Sequence, residues 1–138
     1  MLRKQVTYEN FDGETVTQTL YFNLSKAEIL ELNSKYDGGV RGEIERAQDT
    51  GDNFAVYNFV KNFVLACYGE KSADGKRFVK SDEIRDAFQQ SQAFDEFLFG
   101  MLEADDNGAQ VANFVRAVMP PKLVELMEKE QARKGVTS

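Results

Sequence analysis

The sequence predicts an α+β protein, an N-terminal β-hairpin packed on a mainly helical body of about six helices. Three observations carry that prediction. Residues up to Phe22 alternate between two chemical faces, the apolar patterns after Asn23 recur at helical spacing, and glycine and proline cut this later region into helix-length pieces. A chain of 138 residues suits one domain with one core. The expected division is a single domain over residues 1–121, with the hairpin in 1–24 and the helical body in 25–121. Residues 122–138 then form a C-terminal helix and tail.

In the hairpin, Val6 and Tyr8 alternate with polar neighbours. After Asn10-Phe11-Asp12-Gly13, Val16, Gln18, Leu20 and Phe22 share one face while Thr15, Thr17, Thr19 and Tyr21 share the other. Asp12-Gly13 supplies residues that tolerate positive φ at the turn. Two strands alone are marginal in water, so one face must be covered.

Everything after Asn23 reads as helix. Ser25-Lys26-Ala27-Glu28 is a capping box opening a helix to about Lys35, with Ala27, Leu30 and Tyr36 on one side. Gly38-Gly39 stops it, and a polar helix over about Val40–Gln48 looks exposed. Asp52 caps a strongly apolar helix from Asn53 to Tyr68, ended by Gly69, with Val56, Val60, Phe63, Val64 and Cys67 as its stripe. A polar loop over Glu70–Arg77 turns at Asp74-Gly75. Ser81 caps a short helix to about Gln90. The next, about Gln92–Glu103, has Phe94, Leu98, Met101 and Leu102 on its stripe and Phe97 at one edge. Asp105-Asp106-Asn107 precede a helix over Gly108–Met119 carrying Val111, Phe114, Val115 and Val118, which Pro120-Pro121 ends. A last helix over Lys122 to about Arg133 has the narrow apolar patch Leu123, Val124, Leu126 and Met127.

Composition points away from chemistry. The chain has no histidine, the commonest side chain for proton transfer near neutral pH and for binding metals. Its net charge of −6 argues against nucleic acid, which demands a basic patch. Cys67 has no second cysteine to pair with and lies among apolar residues, as expected of a buried side chain in a reducing compartment. The first residues lack the apolar stretch of a secretory signal, and the apolar run Phe54–Tyr68 is interrupted and too short for a bilayer. The expectation is a cytosolic protein with no cofactor, no metal, no nucleic acid and no membrane.

The candidate constellations favour structural roles. Glu70-x-Ser72-x-Asp74-Gly75 resembles the start of a calcium loop, but the twelfth position is Ser81 rather than a bidentate glutamate. It reads as a polar turn. Asp105-Asp106-Asn107 reads as a helix cap, Gly75-Lys76 lacks the rest of a phosphate loop, and Cys67 lacks a histidine partner.

The eleven phenylalanines remain. Most belong to the core, but Phe54 and Phe99 lie off their helical stripes, as does Leu65, and Phe11 sits in a turn. Apolar side chains that a core does not require mark a docking surface. Phe54, Leu65 and Phe99, with Leu123 and Met127 of the last helix, are the expected protein-binding residues.

The order of pieces also resembles a known family. Leu20-Tyr21-Phe22-Asn23-Leu24-Ser25-Lys26-Ala27-Glu28 leads into the helical body. The apolar helix runs into Tyr68-Gly69-Glu70-Lys71-Ser72-Ala73-Asp74-Gly75-Lys76-Arg77-Phe78-Val79-Lys80-Ser81. Ala112-Asn113-Phe114 and Met119-Pro120 close the region. Over about residues 5–121 this resembles the tail assembly chaperones of long-tailed bacteriophages. The resemblance implies a non-enzymatic protein of the host cell cytoplasm that binds the tape measure protein, keeps it soluble, presents it for tail tube polymerisation and is absent from the mature virion. It also implies the tail tube protein and a frameshifted, longer form of the same chain as partners, and it allows a homo-oligomer. The alternative is a structural virion component, such as a tail-completion or head–tail connector subunit forming a ring. An unfamiliar enzyme would require a pocket with two convergent carboxylates.

Overall fold

The computed structural model describes residues 1–104 and 108–120. Its elements run β1 (Leu2–Glu9), β2 (Thr15–Phe22), α1 (Lys26–Ser34), α2 (Gly39–Asp49), α3 (Asn53–Cys67), β3 (Tyr68–Lys71), β4 (Phe78–Val79), α4 (Asp82–Gln89), α5 (Gln92–Leu102) and α6 (Ala109–Val118). The fold is α+β, with the N-terminal hairpin forming half of a four-stranded antiparallel sheet ordered β1-β2-β3-β4.

The hairpin follows its alternation. Leu2, Lys4, Val6 and Tyr8 oppose Phe22, Leu20, Gln18 and Val16, and on this face Leu20 and Phe22 are fully buried. The other face is polar, where the Thr7 and Thr17 hydroxyls meet at 2.9 Å. Gly13 turns the chain at φ 79°, a conformation favouring glycine.

Phe22 anchors the core. Its ring lies 4.8 Å from Phe97, 5.1 Å from Phe114, 5.8 Å from Tyr68 and 6.2 Å from Phe88. One ring thereby joins the sheet to α4, α5 and α6, burying apolar area that supplies most of the folding drive. On α3 the buried residues are Phe59, Val60, Phe63, Val64 and Cys67, with Val56 only partly covered. Phe97, at the edge of the α5 stripe, is buried in the core.

The caps form as the sequence suggests. Ser25 and Glu28 close a reciprocal capping box, Asp52 accepts from the Phe54 amide and Ser81 accepts from the Ile84 amide. At α6 the N-cap is Gly108 itself, at φ 78° and with no side-chain cap. Asp105, Asp106 and Asn107, and the helix expected over Lys122–Arg133, lie outside the described residues.

Three expectations need correction. Residues after Asn23 are not all helical, because Tyr68–Lys71 and Phe78–Val79 form a second hairpin where a helix end and a loop were expected. Pairing of Tyr21 with Gly69 and Phe22 with Tyr68 draws this segment onto the sheet. On α1, Ala27 and Leu30 face outward, and it is Ile29, with Leu32 and Tyr36, that packs. The helix α2 is not an exposed element, since Val40 and Ala47 are buried and Ile44 packs beside them. That stripe of spacing four and three is narrow enough for the surrounding charges to mask it.

Candidate docking surface

Five large apolar side chains are well exposed among the described residues, namely Met1, Phe11, Leu30, Phe54 and Phe99. Two of them meet. Asp52 starts α3 so that Phe54 projects from its first turn, 67% exposed. One helical turn on, Tyr57 stands with its ring centroid 5.8 Å from Phe54 and 6.0 Å from Phe99 of α5, which is 40% exposed. Phe54, Tyr57 and Phe99 thus form a row of three rings across two helices. Tyr57 is partly buried against the core, so the row is anchored by its middle member.

The helices supporting this row are firmly set. Tyr68, at the end of α3, stacks on Phe88 at 3.8 Å, and Phe88 meets Phe94 at the start of α5 at 5.3 Å. With Tyr57 near the start of α3 against Phe99 near the end of α5, the two helices run antiparallel and are tied at both ends.

Leu65 lies elsewhere. It shares the angular face of Phe54 but is eleven residues on, about 16 Å along the helix axis. There it is partly buried and lines a groove with Leu24, Leu32 and Lys80. Leu123 and Met127 lie outside the described residues. Phe11 is exposed in the turn between β1 and β2. Sequence reasoning missed Tyr57, whose position beside Phe54 on α3 was the available signal. It also missed an apolar groove of about 480 Å³ between α2, α3 and α6, lined by Val40, Ile44, Val56, Phe59, Val111 and Val115.

The titratable groups near the core serve structure. The Lys80 ammonium donates to the carbonyls of Asn23 at 2.7 Å and Ala66 at 2.8 Å and to Glu28 Oε2 at 2.7 Å. Burial alone would raise the Glu28 carboxyl, but the hydrogen bond from Lys80, the Ser25 amide and the lysine charge outweigh it and hold the carboxyl below its ordinary value. Burial pushes the Cys67 thiol far up, which keeps it protonated and unreactive. In the β3–β4 turn, the Ser72 hydroxyl donates to Asp74, while Asp74 and Ser72 accept from the Lys76 and Arg77 amides. Those oxygens hold the turn together. No group of three or more metal-ligating side chains occurs among the described residues.

Among the described residues, the features that stand out are two exposed rings bridged by Tyr57, with no metal-ligating cluster beside them. Comparison with family models decides which kind of protein this is, because the model described as phage tail assembly chaperone matches residues 1–138. The chain belongs to the phage tail assembly chaperone family. No curated protein and no solved structure matches it. The family match runs beyond the segment where the resemblance was legible and includes residues 122–138. Tail assembly chaperones are non-enzymatic. Tail proteins are the partners that membership implies. Among the described residues of this chaperone, no helix is long and apolar enough to cross a membrane.

Proposed function

We propose that this chaperone binds the tape measure protein in the host cell cytoplasm, keeps it soluble and presents it for tail tube polymerisation. The observation that carries the reading is the row Phe54–Tyr57–Phe99, two of whose rings stand exposed on an otherwise well-packed pair of helices. A long helical client with a repeating apolar face would aggregate unless such a row covered it, and an amphipathic helix lying across α3 and α5 fits that task. The chain's net charge of −6 keeps the loaded complex dispersed. Leu65, Leu123 and Met127 are proposed as secondary contacts besides the row. The tail tube protein displaces the chaperone as the tube grows, and a frameshifted longer form shares the client.

Co-expression with the tape measure protein tests this. Replacing Phe54 and Phe99 together by glutamate should move the client from the soluble to the pelleted fraction while the chaperone's melting transition stays cooperative. A client that remains fully soluble with the double variant refutes the assignment of the surface. So does loss of cooperative unfolding, because it would place the rings in the core. Mass spectrometry of purified virions should find no copy of the chain, and its presence there would transfer the protein to a structural role.

A further inference from the structure

Among the described residues, the sheet has one long edge with no further strand paired to it. Strand β1 is eight residues long and, among the described residues, pairs only with β2. The phase of its hydrogen bonding is fixed at both ends of the hairpin. The Asn10 amide donates to the Glu14 carbonyl at 2.8 Å, and the Asn23 amide donates to Cys67 at 2.8 Å. The first bond directs the backbone groups of Leu2, Lys4, Val6 and Tyr8 towards β2, because antiparallel partners alternate. The second agrees, since odd-numbered residues of β2 then face β3. The amides and carbonyls of Arg3, Gln5, Thr7 and Glu9 therefore point out of the sheet.

We propose that this edge is a self-complementary interface, and that a second copy of the chain lays its own β1 antiparallel against it, centred on Val6. Symmetry narrows the registers. A two-fold axis perpendicular to a continuous sheet keeps each residue on its own face, so odd residues can oppose only odd ones. Centred on Val6, Arg3 of each copy opposes Glu9 of the other and Gln5 opposes Thr7. Both ends thus carry an opposite-charge pair on the solvent face, where Arg3 and Glu9 are exposed. A centre at Gln5 would set Arg3 against Thr7 and so leave Arg3 with no charged partner. The chosen register forms about eight new backbone hydrogen bonds and closes an edge that otherwise invites aggregation.

A second observation points to the same place. A groove of about 620 Å³ runs beside β1, lined by Lys4, Val6 and Thr7 on the strand and by Glu96, Gly100 and Asn113 on the helices. Gly100 is a residue of α5, and a methyl group added there would meet nothing within 4 Å. Glycine is a poor helix residue, and packing within this one copy does not require it here. α5 packs beside β1, and the groove at that boundary, with glycine at Gly100, leaves room for the inward-facing side chains of an added strand. Glu96 supplies a counter-charge for a lysine entering the groove.

Sedimentation equilibrium of the full chain over a range of concentrations tests the proposal. The wild type should show a reversible monomer–dimer equilibrium. Arg3→Glu alone and Glu9→Arg alone should each weaken association about ten-fold, because two opposite-charge pairs become two like-charge pairs. The double swap should return to within about three-fold of wild type, with melting curves unchanged at concentrations low enough for every variant to be monomeric. A chain that stays monomeric at every concentration overturns the proposal, including the case in which β1 instead accepts an extended segment of another protein. Association indifferent to the single swaps, or not recovered by the double, overturns it equally.

Discussion

Lys80 offers the sharpest test of what holds this fold together. Its ammonium reaches the end of β2 through Asn23, the first turn of α1 through Glu28 and the last turn of α3 through Ala66, with only 13% of its side chain exposed. Replacing it by methionine keeps the stem and removes all three bonds. The Ala66 carbonyl belongs to the helix terminus, where a cation is favoured, and it loses that partner together with the Asn23 carbonyl. Leaving two such carbonyls short of a donor costs roughly 1–2 kcal/mol each. Glu28 is about one-third exposed, so its lost ion pair adds less than about 1 kcal/mol after solvent screening. Lys80→Met should therefore lower stability by about 3 kcal/mol, read as a fall in the urea midpoint at unchanged slope. The melting temperature should drop by about 10 °C. A loss below about 1 kcal/mol would show that water replaces the ammonium at no cost, and the three-way tie would then be incidental.

Other consequences follow from the same geometry. Because the folded state holds the Glu28 carboxyl below its ordinary value of 4.5, that residue's contribution is complete above the unfolded pKa and disappears as pH falls through the folded one. Glu28→Gln should flatten the acid side of the stability–pH curve, and an unchanged acid limb would contradict the ion pair. Gly69→Ala would place a methyl 2.6 Å from the Phe78 ring and 2.8 Å from the Val79 carbonyl, so β4 must move. A loss of about 2 kcal/mol and faster exchange of the Ser72 amide are expected, and slow exchange in the variant would count against the packing described. Cys67 should resist a thiol reagent in buffer and react only as fast as the protein unfolds in urea. Prompt labelling of the native protein would show that the helix end opens locally.

What the sequence revealed depended on how far each pattern extended. The long hairpin was legible because Val6 and Tyr8 alternate with polar neighbours and four alternate positions of the second strand share one face. The helices were legible from caps, with Ser25, Asp52 and Ser81 all accepting the amides expected of them. The second hairpin was not, because β4 is two residues long and its strand character comes from pairing with distant β2 through β3 rather than from its own alternation. Leu30 and Ile29 exchanged roles on α1 because a helix of nine residues has too few apolar positions to define a face. At the candidate surface, the off-stripe angles of Phe54 and Phe99 correctly foretold exposure. Their meeting through Tyr57 could not be read, since it depends on how α3 crosses α5. Leu65 has the angle of Phe54, yet the segment around Leu24 and Leu32 partly covers it, and no helical wheel includes a neighbouring chain segment.

The size of the ring row bears on how a chaperone can hold a client and still release it. With Phe54 67% and Phe99 40% exposed, the two rings offer roughly 200 Å² for burial. At about 25 cal/mol/Å² that is about 5 kcal/mol of gross attraction. Association itself costs about 4 kcal/mol or more, so one copy on one site holds weakly and exchanges quickly. Under the proposed function, a client with many apolar turns would need stronger retention than that until the tube protein arrives. Joining two copies through β1 would present two rows on one body, and the second contact would form at the high effective concentration set by the first, raising avidity by about 10²–10⁴. Each row would remain individually easy to displace. The combination predicts a particular signature: variants that separate the copies should speed loss of a long client far more than loss of a short single-site peptide. Equal effects on both would mean that retention comes from the single row, and pairing of the chains would then have no part in holding the client.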